Sequence, residues 1–108
     1  MKWSYREYKA EWDAVRYMIG GKMFALLGTE NTGRLVITLK LIPEEGRLLR
    51  SEYSECIIPG YYMNKDHWNS TYLEGDVPDF VLKDMISKSY RIIFDSLPKK
   101  LKDNLNRE

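Results

Sequence analysis

Hydrophobic and polar residues alternate with a period of two along several short stretches of the chain. Residues 14–18 and 23–27 are rich in β-compatible side chains, and Gly20-Gly21 between them supplies the positive φ angles of a tight hairpin turn. Residues 34–41 alternate most regularly, with Leu35, Ile37, Leu39 and Leu41 on one side and Arg34, Val36, Thr38 and Lys40 on the other. We therefore predict three strands, the third with one face in the core and the other in water.

Turn and helix signals follow this region. The polar, glycine-bounded residues 28–33 predict an exposed loop between the second and third strands. Pro43, followed by Glu44 and Glu45, predicts a short helix that runs to about Tyr53, although Gly46 weakens it. Residues 66–73 predict a further strand and residues 56–58 a weaker one.

The longest predicted helix begins near Pro78 and ends before Pro98. Its apolar stripe has the 3.6-residue period of a helix that packs on a sheet, and it consists of Leu82, Met85, Ile86, Ser89, Ile93 and Leu97. Strands punctuated by helices predict an α+β two-layer sandwich, with an antiparallel sheet of four to five strands and helices on one face. At 108 residues, we expect residues 1–108 to form one domain.

Composition and charge narrow the function classes. With 44% hydrophobic and 31% charged residues the chain is a folded protein, and no apolar run approaches the ~20 residues that cross a bilayer. Cys56 is the only cysteine and the first residues are charged, so we predict a cytoplasmic location. Seventeen basic against sixteen acidic residues leave a net charge of +1, so any polyanion must be bound by a local basic patch.

The segment from Pro59 to Trp68 is the first candidate site. Lys65, His67 and Trp68 place a cation, a titratable ring and an indole where they could meet phosphate and base together. The alternative is that His67 and Trp68 point to opposite faces of one strand and serve packing.

Two further groups of basic residues are candidates for phosphate contacts. Lys22, Arg34 and Lys40 could form a basic stripe on the polar face of the sheet, or could simply solvate that face. Lys99 and Lys100 could anchor phosphates, or could complement the carboxyl-terminal dipole of the preceding helix.

Enzymatic chemistry has little support in these residues. A catalytic Cys56–His67 pair is one alternative, but Cys56 lies in a predicted strand, where a buried thiol is the ordinary occupant. Gly20 and Gly21 do not form a phosphate loop because no helix follows them. We therefore predict a protein that is not an enzyme, with no catalytic residue, no metal ligand and no cofactor.

Several short motifs together resemble the signature of the MmcQ/YjbR family of small, DNA-binding-type proteins. They are Gly21-Lys22-Met23-Phe24-Ala25, Pro59-Gly60-Tyr61, Met63-Asn64-Lys65, His67-Trp68, Ser89-Tyr90 and Leu97-Pro98-Lys99-Lys100, and the similarity covers about residues 9–101. The resemblance implies a frataxin-like (CyaY-like) fold of double-wing character, in the order α-β-β-β-α-β-β-α.

The chain departs from this pattern at its start, where only about eleven residues precede the first predicted strand. We expect Trp3, Tyr5, Tyr8 and Trp12 to form a shortened first helix. Otherwise they would leave an exposed apolar surface that favours dimerisation.

Two functional hypotheses remain. The resemblance implies a non-enzymatic DNA-binding protein that contacts phosphates through basic sheet and loop residues. The alternative is a protein-interaction or small-ligand module in which aromatic residues line a groove, namely Tyr61, Tyr62, Trp68 and Tyr72. In either case we expect no membrane partner and a monomer or weak homodimer.

Overall fold

One antiparallel sheet of six strands organises the fold. The computed structural model describes residues 2–60 and 63–107, so Met1, Tyr61, Tyr62 and Glu108 lie outside the description. The strands are β1 (Tyr5–Lys9), β2 (Ala14–Ile19), β3 (Lys22–Thr29), β4 (Leu35–Lys40), β5 (Ile57–Pro59) and β6 (Trp68–Tyr72), and they lie in the order β1-β2-β3-β4-β6-β5. The helices are α1 (Pro43–Glu52), α2 (Asp79–Asp95) and α3 (Lys99–Asn106). The predicted α+β class is confirmed, with six strands in place of four to five.

The hairpin of β2 and β3 turns at Gly20 and Gly21, as predicted. Their φ angles are 58° and 82°, which only glycine adopts readily. A bulge follows, because Tyr17 pairs with Ala25 while Met18 pairs with Met23, so that Phe24 is the extra residue. Phe24 and Ala25 are consequently both buried in the core.

The N-terminal segment is a strand, so the expectation of a shortened first helix was wrong. β1 pairs along its whole length with β2, from Tyr5 opposite Met18 to Lys9 opposite Ala14. A single 3₁₀ turn (Ala10–Trp12) and Asp13, whose φ is 47°, reverse the chain between the two strands. Backbone pairing with β2 therefore decides the structure of a segment too polar to show a clear apolar period.

Helix α1 occupies the predicted range, and its glycine has a specific packing role. A Cβ on Gly46 would lie 2.8 Å from Oδ1 of Asn69, a residue of β6 that is fully buried. The same Oδ1 accepts a hydrogen bond of 2.5 Å from Nη1 of Arg50. Gly46 thus lets α1 approach the sheet closely over the Asn69 side chain.

The core lies between the sheet and α2, where the predicted stripe is confirmed. Met85, Ser89, Ile93 and Leu97 are each at most 5% exposed. Helix α3 was not predicted, because Pro98 was interpreted only as the end of the preceding helix. Leu101 and Leu105 of α3 nevertheless pack against the same core.

The side of the sheet opposite α1 and α2 is called here the distal face. By strand alternation and register it carries Arg16, Leu26, Val36, Thr38, Lys40, Trp68, Ser70 and Tyr72. The prediction that Val36 and Thr38 meet water was wrong, since they are 2% and 1% exposed. Val36 lies between Gly28 and Tyr72 and Thr38 between Leu26 and Ser70 in the strand register. The Thr38 and Ser70 hydroxyl oxygens are hydrogen-bonded at 2.7 Å. The distal face is therefore a shallow second layer of packing.

Strand β6 begins later than predicted because Asn64 forms a turn before it. The Asn64 side-chain oxygen accepts from the amide of Asp66 at 2.9 Å, and its carbonyl accepts from the amide of Trp68 at 2.9 Å. Residues 66 and 67 consequently belong to the turn.

Among the helices of residues 2–60 and 63–107, none has the length and apolar character that a bilayer crossing requires.

Candidate nucleic-acid interface

Two cations of the distal face each lie over an aromatic ring of β6. The Arg34 guanidinium carbon is 3.8 Å from the centroid of the Tyr72 ring, and Nζ of Lys40 is 6.0 Å from the centroid of the Trp68 ring. Register explains both pairs, since Lys40 lies directly opposite Trp68 and Val36 lies opposite Tyr72. Six residues of strand separate Arg34 from Lys40, a distance of about 20 Å. The two positive charges thus lie at opposite ends of one row of distal-face residues, which consists of Arg34, Val36, Thr38 and Lys40.

Glu30 holds the Arg34 end of this row in place. One oxygen of its carboxylate accepts hydrogen bonds of 2.9 Å from the backbone amides of Thr32 and Arg34, and it also accepts from the Thr32 hydroxyl. The other oxygen accepts from the Tyr72 hydroxyl at 3.1 Å. These bonds, with the Thr32 hydroxyl first, hold the pKa of Glu30 below its ordinary value, although burial opposes them. Glu30 therefore stays ionised with its charge locally compensated.

Ser89 of α2 fixes the Lys40 end. Its hydroxyl accepts from the backbone amide of Lys40 at 2.8 Å and donates to the carbonyl of Phe24 at 2.6 Å. Ser89 is fully buried, so these two bonds join the last residue of β4 to β3 and to the helix. The Lys40 side chain consequently leaves a rigid backbone.

Two other cations near the distal face are paired with acidic residues. Arg16 forms an ion pair with Glu7 across β1 and β2. Nζ of Lys9 is 3.5 Å from the Glu11 carboxylate and 5.5 Å from the centroid of the Trp12 ring. Arg34 and Lys40, by contrast, form no ion pair with a residue of 2–60 or 63–107.

Lys65 and His67 lie in the turn that precedes β6. Lys65 is exposed, and its carbonyl accepts a hydrogen bond of 3.4 Å from Nη1 of Arg50. His67 is half-buried, and its carbonyl accepts from the amide of Leu41 at 2.8 Å. The turn places Lys65 three residues before Trp68, next to the Lys40 end of the row.

The structure does not bring Lys22, Lys99 and Lys100 to the distal face. Nζ of Lys22 lies 3.4 Å from the carbonyl oxygen and 3.3 Å from the hydroxyl of Ser96, at the carboxyl end of α2. Lys99 and Lys100 are exposed in the first turn of α3, which packs near the β2–β3 turn through Leu101. These lysines belong to the helical side of the molecule.

Cys56 packs against the segment that follows β6. Its sulfur is 3.4 Å from the backbone amide of Asp76, and Gly75 packs against it. Within residues 2–60 and 63–107, no three or more His, Cys, Asp or Glu side chains cluster in a way that could hold a metal ion.

The helical side carries an apolar groove between α1 and α2. A cavity of about 540 Å³ is lined mainly by Leu48, Leu49, Phe80 and Val81. Nζ of Lys88 spans the groove, 3.5 Å from the Glu45 carboxylate and 3.0 Å from that of Asp84. The hydrogen bond to Asp84 is the main reason that the pKa of Lys88 is raised. Neither Trp68 nor Tyr72 lines this cavity.

Comparison with known proteins identifies the family of this chain. The family model described as YjbR matches residues 3–92. The chain belongs to the YjbR family. The expected resemblance is thereby confirmed.

Several relatives support this assignment. The uncharacterized protein YbdF of Escherichia coli O157:H7 is 38% identical over 84 residues, which are 78% of this chain and 67% of that protein. The uncharacterized protein YjbR of Escherichia coli K12 is 32% identical over 88 residues, which are 82% and 73% of the two chains. A crystal structure of DR2400 from Deinococcus radiodurans, which carries the domain DUF419, superposes with a TM-score of 0.88 at 27% identity, covering 98% of this chain and 80% of that one.

Two of the motifs that carry the resemblance, Gly21-Lys22-Met23-Phe24-Ala25 and Ser89-Tyr90, meet in the fold. Phe24 from the first motif receives the Ser89 hydrogen bond and stands edge-on to the Tyr90 ring, with centroids 5.3 Å apart. The Tyr90 hydroxyl in turn donates to the Lys2 carbonyl at 2.5 Å. These motif residues therefore hold the sheet, α2 and the N-terminus together.

Two residues that shape the distal face were not identified from the sequence. Glu30 holds the turn before β4 in place, and Arg16 forms an ion pair with Glu7. Glu30 was included only in an exposed polar loop, yet it is 7% exposed. The signal available was the acid followed by Thr32 and Gly33, which is typical of a turn closed by a side-chain acceptor.

Proposed function

We propose that this YjbR-family protein is a non-enzymatic DNA-binding protein whose distal face contacts phosphates. The observation that supports it is a pair of cations, Arg34 just before β4 and Lys40 at its end, each positioned over a ring of β6. An aromatic platform orients a guanidinium or ammonium without neutralising it, so each charge remains available to an anion.

The spacing of the cations suits a nucleic-acid backbone. About 20 Å separates Arg34 from Lys40 along the strand, which is close to the rise of six base pairs of duplex. Lys65 in the adjacent turn supplies a third contact beyond the Lys40 end. The proposed interface excludes three of the candidate lysines because they lie on the helical side, namely Lys22, Lys99 and Lys100.

Two to three phosphate contacts set the expected strength. At a slope of about −0.9 per neutralised phosphate, log K against log salt should fall with a slope between about −1.8 and −2.7. The affinity should then drop roughly 10- to 40-fold between 50 and 200 mM salt. The net charge of +1 adds little long-range attraction.

Fluorescence anisotropy of a labelled duplex, measured over a salt series, tests the proposal. Arg34→Ala, Lys40→Ala and Lys65→Ala should each weaken binding by a similar factor on duplexes of different sequence, since phosphate contacts carry no base information. Each variant should also reduce the salt slope by about 0.9. Lys99→Ala is the matched control, because it removes an exposed lysine from α3, and it should leave both quantities unchanged.

Three results would remove the proposal. They are no binding at about 50 mM salt, binding without salt dependence, and a Lys99→Ala effect equal to that of Lys40→Ala. If a variant lost affinity for only one duplex sequence, the substituted side chain would contact base edges and not phosphates.

The remaining parts of the proposal concern location, partners and the alternative function. A DNA ligand favours cytoplasmic residence, and the chain acts as a monomer or weak homodimer. The aromatic-groove alternative stays a prediction, since Tyr61 and Tyr62 lie outside the described residues. Trp68 and Tyr72 lie under cations, which favours the DNA-binding proposal over that alternative.

A further inference from the structure

The groove between α1 and α2 combines a protruding ring with a recess. Phe80, in the first turn of α2, is 74% exposed, and Leu48 of α1 beside it is 68% exposed. Farther along the same two helices, a second cavity of about 350 Å³ is lined by Ile42, Glu45, Ser87, Lys88, Arg91 and Ile92. Side chains as apolar and exposed as Phe80 and Leu48 on neighbouring helices indicate an interaction surface.

The order of residues along α2 makes this surface complementary to itself. Phe80, Asp84, Lys88 and Ile92 follow one another at intervals of four, which places them along one side of the helix over about 18 Å. If two such helices pack antiparallel about a twofold axis, Phe80 of each meets Ile92 of the other. Asp84 of each then meets Lys88 of the other. The twofold axis therefore repeats the apolar contact and the charge pair once each.

We propose that the α1–α2 groove is a homodimer interface in which a second copy of this chain packs antiparallel through α2. Phe80 of each copy fills the recess beside Ile42 and Ile92 of the other, which is the self-complementarity that a twofold interface requires. Lys88, which bridges Glu45 and Asp84 in one chain, shares its ammonium with Asp84 of the second copy. Charge pairing at the centre fixes the antiparallel direction, since parallel helices would place like charges together.

The expected affinity is low. Eleven of the described residues line the two cavities, whereas a standard stable interface uses about 20 to 30 residues on each side. We expect a dissociation constant of roughly 10 to 100 µM, so that association is seen only at high protein concentration. The dimer leaves the distal faces on its two outer sides, because α2 lies on the opposite side of the sheet.

This inference rests on the homodimer alternative stated above, and its failure would leave DNA binding by a single chain untouched. Sedimentation velocity of the full chain, from about 1 to 500 µM, measures it directly. The wild-type protein should pass from monomer to dimer over this range. Phe80→Ser should remain monomeric throughout. Tyr8→Ser is the matched control, since Tyr8 is an aromatic residue, 62% exposed, on β1, and it should dimerise as the wild type does.

Charge reversal tests the antiparallel pairing itself. In a dimer of Lys88→Glu the facing residues at positions 84 and 88 would both be acidic, and in a dimer of Asp84→Lys they would both be basic. Each variant alone should therefore be monomeric. Mixing the two variants should restore a dimer, because every facing pair becomes opposite in charge.

Each contrary outcome overturns the proposal. A wild-type monomer at every concentration removes the dimer. A dimer that survives Phe80→Ser, or is lost with Tyr8→Ser, places the interface elsewhere. If both charge variants are monomeric and mixing them restores no dimer, α2 does not pair antiparallel with α2 of a second copy.

Discussion

The hydroxyl of Tyr72 donates a hydrogen bond of 3.1 Å to the carboxylate of Glu30, which lies 42 residues earlier in the chain. The second oxygen of that carboxylate closes the turn between β3 and β4 through the amides of Thr32 and Arg34. One buried carboxylate thus fixes both the ring over which Arg34 lies and the backbone from which Arg34 extends. The candidate interface depends on this link between β6 and the turn.

Tyr72→Phe should lower the thermal midpoint by about 5 to 10 °C, because it removes one hydrogen bond to a carboxylate while keeping the ring. Arg34 keeps its aromatic partner, so DNA binding should change little. Thermal unfolding followed by circular dichroism measures the effect. Tyr8→Phe, which removes an exposed hydroxyl bonded to Asp13 at 2.7 Å, is the control and should lower the midpoint less. Equal shifts in the two variants would contradict the role of the Glu30 link.

Glu30 should make stability depend on pH in the acid range. The pKa of Glu30 lies below its ordinary value of 4.5, mainly because of the Thr32 hydroxyl, so the folded state favours the ionised form. Its stabilisation is present above about pH 4.5 and is lost as the pH falls through the lowered pKa of the folded state. The difference in thermal midpoint between wild type and Glu30→Gln should therefore be largest near neutral pH and shrink toward pH 3. A difference that stays constant over this range would show that ionisation of Glu30 is not involved.

The sheet could be predicted from sequence wherever strand and turn signals agreed. The Gly20-Gly21 hairpin and the β4 alternation identified three neighbouring strands correctly. Alternation within one strand does not reveal which residues the neighbouring strands place beside it, which is why the burial of Val36 and Thr38 was missed. β1 carries Arg6, Glu7 and Lys9 among five residues, so only its pairing with β2 reveals it as a strand.

The candidate site was only partly predictable for a related reason. Arg34, Lys40 and Trp68 could each be named from residue type, but which cation meets which ring follows from the register of β4 against β6. These strands are separated in sequence by α1 and β5, and no local pattern sets their alignment. The position of Tyr72 beneath Arg34 likewise follows from the pairing of these strands and not from any pattern near Tyr72 in the sequence.

Ser89→Ala should destabilise the fold by about 1 to 3 kcal/mol, because it leaves the buried amide of Lys40 and the carbonyl of Phe24 without that partner. Ser87→Ala is the matched control, since Ser87 is exposed two residues earlier in the same helix. The gain in helix propensity is the same at both positions. Urea unfolding measures the two free energies, and a Ser89→Ala loss no larger than that of Ser87→Ala would contradict a structural role for the hydroxyl.

Gly46→Ala should destabilise the protein although alanine favours a helix over glycine by about 1 kcal/mol. The new methyl carbon would lie 2.8 Å from Oδ1 of Asn69, which Arg50 and full burial hold in place, so α1 must move away from the sheet. In an Asn69→Ala background the obstacle is absent, and Gly46→Ala should become stabilising by about 1 kcal/mol. The free energies of unfolding of the wild type, both single variants and the double variant form a cycle that isolates this contact. If Gly46→Ala stabilises the protein in both backgrounds, Gly46 is not required for the close approach of α1 to β6.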